Sequence, residues 1–388
     1  MRLTSFARRR LSPFLLFFVI LSLSADDAAA QRRARLSDDL ATRLRSNGAG
    51  DASVIITGTA EQIDRAAARH GLRIRKRLQG GAVVDVPAGR LAALADDAGI
   101  DQLTGNAIVR SQMAVTNEAI GATQAWDSAS GGFRLQAEVA RGFPRGFRLQ
   151  AEVARGFRLQ AEDGITGAGI GVAVIDSGIA PLPHLRGRIV VSKDFTGSGE
   201  TGDDWGHGTH VAGIIAAAPR NARDDTSGVA PDAHLLNLKV LGADGSGYVA
   251  DVIDAIDWAV ANRRRYAVRV INLSLGAAPS QSALTDPICL AIARAHDAGI
   301  VVVAAAGNRG RTLDGAAVYG TINSPGHCPH ALTVGALNTN GTPQRSDDVM
   351  ASYSSKGPTR DGLIKPDLVA PGHKVIGLLA PGAAIATE

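Results

Sequence analysis

The sequence predicts an α/β protein, a mostly parallel β-sheet with helices on both faces, preceded by a small α+β unit. Two observations predict it. From Gly169 onward, near-continuous apolar stretches of strand length alternate with helical stretches. A strand apolar on both faces belongs to a parallel sheet covered on both sides. Between 52 and 110, short strand and helix patterns alternate around a Gly-Gly turn. The chain has 388 residues, 45% of them hydrophobic. That length accommodates one large domain and one small one.

The elements follow in order. Arg8, Arg9 and Arg10 precede the apolar run FLLFFVILSL (14–23) and then DDAAAQ (26–31). A charged start, a short apolar run and an Ala-x-Ala site make a secretory signal over 1–30, with cleavage expected after Ala30. The run is shorter than the roughly 20 residues a bilayer requires. Export is therefore expected, with no membrane attachment once the signal is removed.

In the small unit, SVIIT (53–57) reads as a strand and AEQIDRAAARH (60–70) as a helix, with Ile63, Ala66 and Ala67 at helical spacing. LRIRKRL and AVVDV (82–86) read as strands around the glycines at 80–81, and AGRLAALADDAG as a second helix. A last weak strand follows near Ile108. The order β-α-β-β-α-β is the ferredoxin-like pattern.

Next, GFRLQAEVAR occurs at 132–141 and 146–155, and GFRLQAE again at 156–162. Three short copies cannot bury a solenoid core of their own. They read as a repeat insertion over 132–162 within globular sequence.

The larger domain continues with strands IGVAVID (170–176), AHLLNLKVL (233–241), VRVINLSL (268–275), IVVVAAA (300–306), HALTVGA (330–336) and LVAPG (368–372). Its helices are HGTHVAGIIAAA (207–218), YVADVIDAIDWAVAN (248–262) and ALTDPICLAIARAHDAG (283–299). Crossovers between parallel strands are expected to be right-handed.

A formal net charge of +4, with the basic residues scattered, argues against a nucleic-acid partner. RRRY (263–266) fits the last turn of a helix, where cations suit the macrodipole, and LRIRKR (72–77) alternates as a half-buried strand does. Two cysteines, Cys289 and Cys328, are no disulfide framework. They read either as one bridge, which export permits, or as two buried thiols.

Sites in such sheets gather at the carboxyl ends of the strands. Asp176 ends a buried strand, where a carboxylate is costly unless paired. His207 opens a helix, Asn308 follows the strand IVVVAAA, and Ser274 to Gly276 end VRVINLSL. An acid, a histidine and an amide thus fall where one site can form. His207 and His210 share a helix face, but a zinc peptidase helix has the pattern His-Glu-x-x-His. Here the spacing differs and the glutamate is absent. GAGIG (167–171) precedes its strand, whereas the dinucleotide fingerprint follows one.

The motifs VAVIDSGI, GHGTHVAG, NLSLG, AAAGN and SYSSKGPTRDGLIKPDLVAPG, in that order, resemble those of the subtilisin-like serine proteases. The resemblance covers roughly 115–388 apart from the repeats, and 52–110 resembles the family's inhibitory propeptide. It implies a secreted endopeptidase working by an Asp-His-Ser triad. Asp176 is then the triad acid, His207 the general base and Asn308 the oxyanion donor, while His210 is the motif's supporting histidine. Gly245, Ser246 and Gly247, and Ser274, Leu275 and Gly276, resemble the two cleft edges that pair with an extended peptide. The implied partners are a polypeptide substrate and the chain's own propeptide as inhibitor, and the expected state is a monomer. No cofactor is implied for the chemistry. The resemblance leaves structural calcium open but unassigned, since no loop has a recognisable Asp-rich calcium spacing.

The family's serine lies in a Gly-Thr-Ser-Met-Ala motif soon after KPDLVAPG, and no Gly-Thr-Ser occurs in these 388 residues. Ser354 and Ser355 lie in YSSKGP, a turn rather than a helix start. The expectation is a nucleophile beyond the end of this chain. The alternative is an inactive homologue that binds peptides or proteases. Maturation is expected near 110–116.

Overall fold

A computed structural model describes residues 33–46, 48, 50–112, 166–218, 227–340 and 345–386. The signal-like segment, the GFRLQAE repeats and residues 113–116 lie outside the described residues.

The N-terminal unit holds β1 (Arg35–Leu36), α1 (Asp38–Arg45), β2 (Ala52–Thr57), α2 (Ala60–His70), β3 (Arg73–Leu78), β4 (Gly81–Val86), α3 (Leu91–Ala95) and β5 (Gln102–Gly105). Helix α2 starts where it does because Thr59 and Gln62 form a reciprocal capping box, and it ends at Gly71 in the left-handed region. The sheet order is β1-β5-β2-β4-β3, with β2 antiparallel to both β4 and β5. Ile63 and Ala66 of α2, Leu94 of α3, and Val54, Ile56 and Val84 of the sheet form one core.

Two boundaries differ from the sequence reading. The unit begins before residue 52, because β1 pairs with β5 and Ala34 and Leu40 enter its core. The strand near Ile108 does not close this sheet. Instead β5 fills the fourth ferredoxin-like position, and β6 (Ile108–Ser111) leaves to pair with the larger domain. The exposed face of β6 carries Ile108 and Arg110, so its weak apolar alternation could not reveal which sheet it joins.

The larger domain is built on β7 (Gly171–Asp176), β8 (Ile189–Asp194), α4 (His207–Ala216), β9 (His234–Lys239), β10 (Ser246–Tyr248), α5 (Val249–Ala261), β11 (Val268–Leu273), β12 (Leu275–Gly276), α6 (Pro287–Asp297), β13 (Val301–Ala305), β14 (Ala331–Asn338), β15 (Val349–Met350) and β16 (Leu368–Pro371). The central sheet runs β15-β14-β13-β11-β7-β9-β8, with β16 beside β14. Its pairings are parallel except that of β15.

Alternation along β7 shows why both faces are apolar. Val172 and Val174 pack with Val211 and Ala212 of α4, while Ala173 and Ile175 pack with Ile253 and Ile256 of α5 and Ile292 of α6. The apolar run over 268–275 is broken at Ser274, where β12 turns out of the central sheet. Arg263–Arg265 lie in the turn after α5 rather than in its last turn, and Arg265 rests 5.2 Å from the Tyr266 ring centroid. Cys289 on α6 and Cys328 in a loop are joined in a disulfide.

The two units meet on α5. That helix has no side-chain cap of its own. Asn106 Oδ1 accepts from the Ala250 amide at 3.0 Å, and the Ala107 carbonyl accepts from the Val249 amide at 3.0 Å. Lys76 Nζ lies 2.8 Å from Asp251 and 2.9 Å from Asp254. One basic residue of β3 is therefore an interface group rather than a solvated one.

Candidate active site

The parallel register aligns three strand ends. Asn272 pairs with Val174, and Leu273 with Ala304. The residues that follow, Asp176, Ser274 and Asn308, therefore emerge at one edge of the sheet. Helix α4 brings His207 to the same edge.

His207 Nδ1 lies 2.6 Å from Asp176 Oδ1, and each side chain is 1% exposed. A carboxylate only accepts, so Nδ1 carries a proton, and in the neutral imidazole Nε2 is the atom that keeps the lone pair. The Ser177 amide donates to the same Oδ1 at 2.7 Å. Burial acts to lower the His207 pKa, but the charge and hydrogen bond of Asp176, with the charge of Asp203, outweigh it and raise it above the ordinary histidine value. His210 behaves oppositely. Its Nε2 donates to the Val375 carbonyl at 3.3 Å, and burial, followed by the neighbouring His207, pushes its pKa down to about 4. The two histidines thus have separate partners and do not converge on one ligand position. Among the described residues, one trio of close metal-binding side chains occurs, Cys289, His327 and Cys328, and its two sulfurs are already bonded to each other.

Asp203 holds this arrangement in place, and sequence reasoning passed over it. Helix α4 opens after Gly206, which has no side chain to cap with. Asp203 supplies the cap. Its Oδ1 accepts from the Gly206 amide and the Ser177 hydroxyl, and its Oδ2 from the Thr209 amide, each at 2.7 Å. Ser177 Oγ in turn accepts from the Gly208 amide at 2.9 Å. The signal that could have found it is an acid just upstream of a helix whose N-cap is glycine. Lys239, also missed, is buried and donates from Nζ to the Gly202 carbonyl at 2.6 Å.

The two glycine-rich edges flank β6. Strand β10 pairs antiparallel with one side, Ser246 opposite Arg110 and Gly247 opposite Val109. Strand β12 pairs with the other, Leu275 opposite Ser111 and Gly276 opposite Arg110. The Ser111 amide donates to the Gly245 carbonyl at 3.0 Å, and the Gln112 amide to the Ser274 carbonyl at 3.1 Å. Gly245 sits at φ +68 with the Trp205 indole 2.5 Å from where a Cβ would stand, so only glycine fits this edge. Asn308 Nδ2 donates to the Gln112 carbonyl. The sequence-designated residues of both edges, together with Asn308, therefore surround β6 and Gln112. Ser354 and Ser355 are buried, and their hydroxyls accept from the Ala336 and Arg309 amides.

This arrangement can hold an extended peptide by its backbone, set a neutral, carboxylate-oriented imidazole beside it and direct an amide donor at one carbonyl. A family model described as Peptidase_S8, the subtilase family, matches residues 167–386. The chain belongs to the subtilase family. It is 40% identical to "Serine protease AprX" of Bacillus subtilis (strain 168) over 227 residues, 57% of this chain and 50% of that protein. It is 41% identical to "Subtilisin Savinase" of Lederbergia lenta over 212 residues, covering 55% and 67%. To "Subtilisin E" of Bacillus subtilis (strain 168) it is 37% identical over 220 residues, covering 56% and 51%. The chain thus spans about half to two thirds of the length of these curated relatives. Among the described residues no helix of this subtilase is long and apolar enough to cross a membrane.

Proposed function

We propose that this protein is a secreted subtilisin-like serine endopeptidase that hydrolyses peptide bonds in polypeptides. The observation that carries the reading is the Gln112 carbonyl, which accepts from Asn308 Nδ2 while its strand lies between the 245–247 and 274–276 edges. The buried Asp176–His207 pair supports it.

His207 Nε2 takes the proton of the attacking hydroxyl and returns it to the leaving amine. Asp176 keeps the imidazole in the required tautomer and stabilises the imidazolium. Asn308 donates to the oxyanion as the carbonyl becomes tetrahedral. The nucleophile this mechanism requires is a serine hydroxyl, and the chemistry calls for no cofactor.

The N-terminal unit acts as the inhibitory propeptide, and its tail occupies the cleft as a substrate would. Maturation cuts between Gln112 and Met113, and the mature enzyme is a monomer. The test is expression of the complete reading frame. Hydrolysis of a peptide substrate, lost in His207→Ala, and a mature N-terminus at Met113 are the expected results. A soluble product that binds peptides without cleaving them is the result that sinks the reading, leaving a non-catalytic homologue.

A further inference from the structure

The Gln112 side chain, as well as its backbone, is held. Asn323 Nδ2 donates to Gln112 Oε1 at 3.0 Å. Gln112 Nε2 points to the carbonyls of Arg110 at 3.2 Å and Gly276 at 3.5 Å. Asn323 is 3% exposed, so its polar atoms depend on partners within the protein.

The orientation of its amide is decided by Arg309. Arg309 Nε lies 3.1 Å from Asn323 Oδ1, and a second guanidinium nitrogen also donates to that oxygen. A guanidinium only donates, so Asn323 must turn its oxygen toward Arg309 and its NH₂ toward Gln112. The position of Gly276 is part of the same construction. A Cβ there would stand 3.1 Å from Asn323 Cβ, 3.2 Å from Nδ2 and 2.9 Å from the Ser324 carbonyl, so a side chain at 276 would displace the amide.

We infer that the pocket receiving the side chain on the acyl side of the cleaved bond is a polar one built by Asn323, and that it selects glutamine. Asn323 is the specificity-determining residue, and Arg309 is a positioning residue that acts through it. Glutamine satisfies both ends, because its carbonyl accepts from Asn323 and its NH₂ faces Gly276. Leucine or phenylalanine leaves the buried Asn323 donor unpaired, and sites built to hydrogen-bond a side chain reject analogues that lack it. Glutamate would turn an acceptor oxygen toward the Gly276 carbonyl. The inference rests on the endopeptidase reading above and names its substrate class.

The experiment uses the product of the complete reading frame and peptides that differ only at the residue before the scissile bond, Gln, Glu, Leu or Phe. The expected order places Gln first, by about tenfold or more in kcat/KM over Leu. Asn323→Leu is expected to lower the Gln-to-Leu ratio by about tenfold. Arg309→Ala is expected to lower the same ratio through KM for Gln, with partial recovery in Arg309→Lys. A merely structural role would slow all four peptides alike. Preference for Glu, Leu or Phe in the wild type, or an unchanged ratio in Asn323→Leu, overturns the inference and leaves the endopeptidase reading standing. Failure to cleave any of the four overturns that reading and this one with it.

Discussion

Asp203 Oδ1 accepts a hydrogen bond from Ser177 Oγ at 2.7 Å. The two residues tie the N-terminus of α4 to the end of β7, the elements that carry His207 and Asp176. Asp203→Ala leaves the amides of Gly206 and Thr209 and the Ser177 hydroxyl without their acceptor. Each buried unsatisfied group costs about 1–3 kcal/mol. The expected outcome is destabilisation of several kcal/mol, read by denaturant unfolding, with a fall in kcat. A loss near zero would show that the helix caps itself in another way.

The pH dependence follows from His207. The proposed mechanism requires the neutral imidazole; burial acts to lower its pKa, but Asp176 and Asp203 outweigh it and raise the value. Activity is therefore expected to rise with pH through an inflection above the ordinary value of about 6.5. Stability runs the other way. The raised folded pKa contributes stability that is full below about 6.5 and is lost as pH rises through the folded value. Asp176→Asn removes the charge that holds the tautomer, and is expected to cost about 10⁴ in kcat and to lower the inflection. A kcat/KM profile against pH checks both.

Asn308→Ala removes the donor that meets the Gln112 carbonyl. A fall of about 10²–10³ in kcat with little change in KM is expected, since the bond strengthens as charge develops on the oxygen. Steady-state kinetics on one peptide separate the two. A rise in KM alone would assign Asn308 to ground-state binding.

The N-terminal unit meets the larger domain on α5, and the proposed inhibition depends on that contact. Asn106 caps the helix and Lys76 pairs with Asp251 and Asp254. Losing such a cap costs about 0.5–2 kcal/mol, and hydrogen bonds to charged groups contribute about 1.5–3 kcal/mol. Asn106→Ala and Lys76→Ala are each expected to weaken inhibition of the mature enzyme by roughly tenfold. Inhibition constants for the unit added in trans measure it.

Cys289 and Cys328 close a loop with a sequence separation of 39 residues. Chain entropy for a loop of that size corresponds to about 4 kcal/mol. The variant with both cysteines changed to alanine is expected to lose stability of that order, and a reductant is expected to lower the Tm of the wild type alone. Equal Tm values with and without the bridge would contradict it.

What the sequence determined by itself was the alternation of strands and helices and the common edge that collects Asp176, His207 and Asn308. Apolar periodicity encodes which segments lie inside, and a parallel sheet brings its strand ends together whatever the loops do. Strand β8 is not legible in the sequence because IVVSKD is apolar for only three residues, and β12, two residues long, has no period of its own and is marked only by the motif NLSLG.

Only the tertiary structure decided the rest. Whether Cys289 meets Cys328 depends on how α6 packs against a loop more than a helix length away. Asp203 as a cap, β6 as the strand between the cleft edges, and the Arg309–Asn323–Gln112 chain all join residues distant in sequence. Hydrogen bonds of that kind have no local period, because their partners are chosen by the folded surface and not by neighbours along the chain.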